Sequence, residues 1–199
     1  MASGATERDR AKADRYSALL AQASRLFAER GFAGVSLEDL GAAVGVSGPA
    51  VYRHFASKQA LLGAILVGVS ERLRSGGEAV RDAQPDPDAA LDALIAFHVD
   101  FALAEADVIR VQDRDLAQLS TDDLHRVRRL QREYVDVWVG VLGRLLPDQD
   151  AADLLVRAHA CFGLINSTPY SVRRAQVAGS EDDDVRAVLA RMARAALLA

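Results

Sequence analysis

The sequence predicts an all-α protein. Apolar residues recur at three- and four-residue spacing along nearly the whole chain, glycine or proline stands where a helix must stop, and no strand-like alternation develops. A first helix over about residues 14–30 carries Tyr16, Leu20, Ala23 and Phe27 on one stripe and stops at Gly31. Ser36 opens a second, short helix, with Asp39 placed to complete a capping box and Gly45 to end it. Ser47 caps a third helix, where Pro49 falls in the first turn and costs no hydrogen bond. Ser57 caps a fourth through Leu61, Leu62, Ile65 and Leu66, fading over residues 74–81 before the linker Gln84-Pro85-Asp86-Pro87. Further helices are expected over 88–106, 108–116, 120–145, 150–167 and 182–198, with Thr168-Pro169 breaking the chain between the last two. About nine helices result.

Half of the 199 residues are apolar, enough for a sizeable core. The net charge of −4 argues against a protein that coats nucleic acid over its whole surface. Its distribution is uneven, at +2 over residues 1–60 and −6 over 61–199. A basic head on an acidic body permits local contact with a polyanion and discourages it elsewhere. Cys161 is alone, so no intrachain disulfide can form. No apolar run approaches membrane-spanning length, and the polar start over residues 1–10 lacks the apolar stretch of a secretory signal. The cytoplasm is the expected compartment, with no membrane partner.

Two short helices joined by a tight glycine turn, at about residues 36–55, form a helix-turn-helix pattern. On the second of them, Val51 and Phe55 lie one turn apart and face the core. Pro49 and Arg53 then project outward, with Ala50 and Tyr52 on the flanks and His54 nearer the core. A helix whose outer face is small at its start and polar beyond it fits a DNA major groove. Lys58, in the first turn of the next helix, adds a cation where free backbone N–H groups already favour an anion. Tyr52, His54, Ser36 and Ser47 offer further donors to phosphate.

The stretches Phe27-Ala28-Glu29-Arg30-Gly31-Phe32 and Ser36-Leu37-Glu38-Asp39-Leu40, and the run from Gly45 through Tyr52-Arg53-His54-Phe55 to Lys58, resemble the TetR (tetracycline repressor) family over about residues 14–66. The resemblance implies a homodimer that sets two recognition helices in successive major grooves of a palindromic, double-stranded operator. Ser36, Tyr52, His54 and Lys58 would then hold phosphates, while Gly48, Pro49, Ala50 and Arg53 approach bases. Many members have threonine where this chain has Ala50, so one hydroxyl contact is missing. The implied organisation is a helix-turn-helix DNA-binding domain over residues 1–58 and a larger helical ligand-binding and dimerisation domain over 59–199.

In that body, Phe97, His98, Phe101, Tyr134, Trp138, Phe162 and Asn166 are candidates to line a ligand cavity. Aromatic residues at helical spacing are more often plain core, and polar residues such as His98 and Asn166 are equally explained as satisfied buried groups. The faces Leu155-Ala158-Phe162-Ile165 and Val185-Leu189-Met192-Ala196 could pair with their copies in a symmetric four-helix interface. The cluster Arg126, Arg128, Arg129 and Arg132 could attract an anionic ligand such as a nucleotide-bearing thioester, or form a solvated face balanced by Glu133 and Asp136. His159 and Cys161 point in different directions on a helix, and no metal spacing, phosphate loop or nucleophile elbow is present. No cofactor, metal or catalytic residue is expected.

The expected function is a ligand-responsive repressor. A small molecule, lipophilic or an acyl thioester, would tilt the helix that begins at Ser57 and change the separation of the two reading heads. An activator or constitutive DNA-binding protein of the same fold is the alternative, and a helical enzyme a distant third.

Overall fold

The structure, a computed structural model, describes residues 7–45, 51, 53–167, 170 and 182–199. Among these residues it contains eight α-helices and no strand. They are α1 (Glu7–Arg30), α2 (Leu37–Ala43), α3 (Lys58–Asp82), α4 (Pro87–Ala104), α5 (Ala106–Asp115), α6 (Thr121–Leu145), α7 (Ala151–Asn166) and α8 (Asp182–Leu198), with a 3-10 turn at Leu116–Gln118. The third helix expected from the sequence, and the break at Thr168-Pro169, lie largely or wholly outside the described residues.

Local chemistry sets most boundaries. Ser36 accepts from Asp39 N while the Asp39 carboxylate accepts from Ser36 N, closing the capping box on α2. Ser57, Ser120 and Asp150 cap α3, α6 and α7 in the same N3 pattern. Gly31 and Gly45 adopt φ of +80° and +71°, which lets the chain leave α1 and α2 through a left-handed turn. Helix α4 starts one residue earlier than expected, because Pro87 occupies N1 and Asp86, read from the sequence as linker, is its N-cap. Helix α1 starts seven residues earlier, since 7–13 supplies helix-forming residues without an apolar stripe to reveal them. Helix α3 continues to Asp82 through Gly76 and Gly77, whose missing side chains leave room for the close approach of two rings. A Cβ on Gly77 would stand 2.5 Å from Cε2 of Tyr134, and one on Gly76 would collide with Phe97.

Two apolar clusters hold the helices together. The first joins α1, α2, Val51, Phe55 and the first half of α3 to Val108, Val111, Leu119, Val127 and Leu130. The second, around the fully buried Trp138, joins α4, α6, α7 and α8. The head therefore shares its core with the near end of the body, so displacement of the body helices α5 and α6 strains the head directly.

Candidate nucleic-acid interface and ligand chamber

Val51 is fully buried and Phe55 nearly so, while Arg53 is exposed and His54 half-buried. The angular reading of this segment therefore holds for the residues described. Tyr16 of α1 stacks on Phe55 at 5.2 Å between ring centroids and lies 6.4 Å from the His54 ring. It closes the edge of the head's core and presents part of its ring outward. Ser47, Gly48, Pro49, Ala50 and Tyr52 lie outside the described residues.

Lys58 is not a bare cation at a helix start. Its ammonium donates to the carbonyls of Phe32 at 2.6 Å and Val35 at 2.7 Å, and stands 4.4 Å from the centre of the Phe32 ring. Two of its three donors are thus committed to the α1–α2 corner, leaving one for a phosphate. The Ser36 hydroxyl is likewise engaged, donating to Asp39 at 2.7 Å within its capping box.

A second cation meets the same corner from the body. Arg114, near the end of α5, donates to the carbonyls of Phe27 and Ala28 at the C-terminus of α1, and is held from behind by the buried carboxylate of Asp115 at 2.9 Å. Sequence reading missed this residue. An Arg-Asp pair on an amphipathic helix carries no local sign that its partners are carbonyls 86 and 87 positions away.

In the body, a chamber of about 230 Å³ opens between α3, α4, α5, α6 and α7. Ser70, His98, Gln112, Gln131, Tyr134, His159 and Asn166 supply its polar lining, with Phe101 and Phe162 among the apolar walls, and no Asp, Glu, Lys or Arg among the described residues faces it. His98 is a buried part of this lining. Its Nδ1 accepts from the Tyr134 hydroxyl at 3.2 Å and its Nε2–H donates to Asn166 Oδ1 at 3.2 Å, which fixes one neutral tautomer. The Asn166 amide N–H groups and the Gln112 and Gln131 side chains leave neutral donors for a ligand.

Two residues expected in the lining are elsewhere. Phe97 packs on Gly76 instead, at the contact of α4 with α3. Trp138 stands behind the chamber as a fully buried wall, edge-on to Phe162 at 5.0 Å and to His98 at 6.0 Å. The expected interface faces need a similar correction. Ala158 and Ile165 are fully buried inside the protomer, because they turn toward the cluster around Trp138. Leu155, Val156, Val188 and Met192 form the outward apolar face of α7 and α8, with Val185, Leu189 and Phe162 half-buried and Ala196 exposed beside it. Cys161 is buried, and burial pushes its thiol up to about 12, so it stays protonated and unreactive.

Burial lowers the His98 pKa to about 4, below its ordinary value of 6.5, against the opposing hydrogen bond from Asn166. The unfolded chain takes up this proton below about pH 6.5 while the folded chain resists it to about pH 4. Stability from this group is therefore complete above pH 6.5 and is lost progressively as pH falls toward 4. At pH 5 the expected loss relative to pH 7 is about 2 kcal/mol. Thermal unfolding at the two pH values should show a smaller difference in His98→Gln than in the parent. Equal differences would remove His98 as the acid-sensitive group.

Residues 19–65 match the family described as bacterial regulatory proteins, tetR family, and residues 84–170 match a tetracyclin repressor-like C-terminal domain. The HTH-type transcriptional regulator CymR of Pseudomonas putida is 33% identical over 144 residues, covering 69% of this chain and 70% of CymR. The chain belongs to the tetR family. The HTH-type transcriptional repressor KstR2 of Rhodococcus jostii RHA1 is 27% identical over 132 residues, 66% of this chain and 65% of KstR2, so the match spans just under two thirds of that repressor. In fold, this TetR-family chain is similar to the crystal structure of AibR in complex with isovaleryl coenzyme A and operator DNA, with a TM-score of 0.72 at 19% identity over 89% of this chain and 97% of AibR. These relatives are regulators of transcription rather than enzymes. Among the described residues no helix is long and apolar enough to cross a membrane.

Proposed function

We propose that this TetR-family protein is a ligand-responsive transcriptional repressor that binds a palindromic operator as a homodimer. The observation that carries the reading is the packing of the head. Val51 and Phe55 are buried and Arg53 faces out, so the described positions here are anchored on one side and free on the other, as a helix in a major groove requires. In this reading Gly48, Pro49, Ala50 and Arg53 approach bases, Ser47, Tyr52, His54 and the remaining donor of Lys58 hold phosphates, and Ser36 joins them by turning its hydroxyl from Asp39 to the DNA. The DNA-binding unit is residues 1–58, the ligand-binding and dimerisation unit 59–199, and the compartment is the cytoplasm, where operator DNA is accessible.

Two copies would meet through the outward face of α7 and α8, whose exposed Leu155, Val156, Val188 and Met192 are otherwise left to water. The dimer must set its two heads roughly 34–36 Å apart to reach successive major grooves. A small lipophilic molecule or acyl thioester in the chamber would favour a state with the wrong spacing and release DNA by population shift. The ligand reported for AibR supports this class. Helices α3 and α5 both border the chamber and both grip the α1–α2 corner, through Lys58 and Arg114. Either can therefore carry the displacement.

Selection of binding sites from random DNA, repeated with a panel of acyl thioesters, tests target and response together. A palindromic consensus lost on adding a thioester is expected. No consensus would remove the DNA-binding reading, and a consensus indifferent to every ligand would make the protein a constitutive regulator. On the selected operator, Lys58→Ala should bind more weakly with a salt dependence smaller by about one ion. An unchanged salt slope with a lowered melting temperature would confine Lys58 to its carbonyl contacts.

A further inference from the structure

The chamber is smaller than the roughly 300–1,000 Å³ that pockets for whole drug-sized ligands occupy. It holds a small group whole, and a ligand of drug size or larger must extend out through the mouth. The mouth has a definite direction. Gln131, Val135 and His159 line both the chamber and an outer groove of about 520 Å³ along α6, in which Arg128, Arg129 and Arg132 stand. That groove continues through Arg129 and Arg132 into a third concavity with His125 and Arg126.

This arginine ledge stands out against its background. The part of the chain beyond residue 60 carries a net −6, yet four of its cations lie within seven positions of α6. Arg126 is paired with Glu71 at 2.5 Å and Arg129 only loosely with Glu133 at 3.8 Å, while Glu133 also faces Arg74 at 3.6 Å. Among the described residues Arg128 and Arg132 have no carboxylate within pairing distance, although Asp136 lines the same groove and Asp122 the next. Guanidinium groups left in this state are suited to bidentate binding of phosphate. From Val135 at the mouth to Arg126 the helix advances roughly 14 Å, so phosphates on the ledge can be joined to a group in the chamber by an extended, flexible arm.

We propose that the ligand is a thioester of a phosphate-bearing carrier of the coenzyme A kind. Its acyl group occupies the uncharged chamber, its carrier arm passes Gln131 and His159, and its phosphates lie on Arg128, Arg129 and Arg132. This assignment rests on the ligand-responsive reading above and adds the subsite that reads the carrier.

The test uses the full chain in calorimetric titrations with coenzyme A thioesters of short, branched and cyclic acyl groups, the matching pantetheine thioesters that lack phosphates, and free coenzyme A. Operator binding is measured in parallel. The double variant Arg128→Gln/Arg132→Gln changes exposed side chains and should fold normally. It is expected to bind the best coenzyme A thioester about ten- to a hundredfold more weakly, to bind the matching pantetheine thioester as the parent does, and to keep the parent's operator affinity without ligand. Equal affinity of parent and variant for the coenzyme A thioester would overturn the ledge. So would a ligand-free variant that loses operator affinity, because the arginines would then serve DNA. If pantetheine thioesters bind and release the operator as well as their coenzyme A counterparts, the ledge falls and the ligand-responsive reading stands. If thioesters bind with the expected arginine dependence yet never release DNA, the ledge stands and the ligand-responsive reading falls.

Discussion

Alanine at Arg114 is expected to lower both stability and operator affinity while leaving ligand binding in the chamber intact. The guanidinium joins three groups, of which the Phe27 carbonyl keeps another partner, the Gly31 N–H at 2.8 Å. They are the buried Asp115 carboxylate and the Phe27 and Ala28 carbonyls at the end of α1. Removing one member of a buried ion pair costs about 3–5 kcal/mol, because the remaining charge has no water to replace it. Arg114 is 46% exposed, so screening and solvent access reduce the figure to about 2–3 kcal/mol. In a chain of this size that is a fall of roughly 4–12 °C in melting temperature. The double variant Arg114→Ala/Asp115→Ala no longer strands a buried charge and should regain part of that loss. It should not regain communication, since α5 would still have lost its hold on α1. The measurement is operator affinity with and without a bound ligand in the double variant. Release as complete as in the parent would show that the signal does not travel through α5, leaving Lys58 and α3 as the route.

Those two cations mark the boundary of what the sequence reveals. The capping box at Ser36, the glycines at 31 and 45, and the opposition of Val51 and Phe55 to Arg53 all follow from rules acting within a few residues. The structure agrees with each. Lys58 was legible as a cation at a helix start, but its carbonyl partners lie 23 and 26 positions earlier and no local pattern encodes them. Helix faces show the same limit. Periodicity places Ala158 and Ile165 with Leu155 and Phe162, yet it does not say which neighbour covers a face. Here α7 is covered on one side by the Trp138 cluster, which takes Ala158 and Ile165 and leaves Leu155 outside. Phe97 carries no local sign that separates it from the aromatics of the cavity. The glycine that receives its ring is 21 positions away on another helix. Short-range chemistry sets the elements, while the site depends on which elements meet.

Trp138 offers the sharpest test of how the chamber is walled. Trp138→Ala is expected to cost about 3–5 kcal/mol, the loss of a large aromatic from a close-packed core with incomplete collapse around the void. The side chain is fully buried and edge-on to His98, Tyr134 and Phe162. The space it vacates would therefore open onto the chamber. Trp138→Phe should cost far less, about 1–2 kcal/mol, for a reason specific to this site. The buried indole Nε1–H makes no hydrogen bond of normal geometry. Deleting that N–H removes a buried donor that has no full partner, which offsets part of the lost packing. Denaturant midpoints of the two variants decide the matter, because a phenylalanine variant as unstable as the alanine one would mean that the indole N–H is well paired. Ligand preference gives an independent reading. If Trp138 is the chamber's back wall, the alanine variant should bind bulkier acyl groups better than the parent does and be restabilised by them. If the acyl group lies elsewhere, the variant should be equally unstable and show no change in preference.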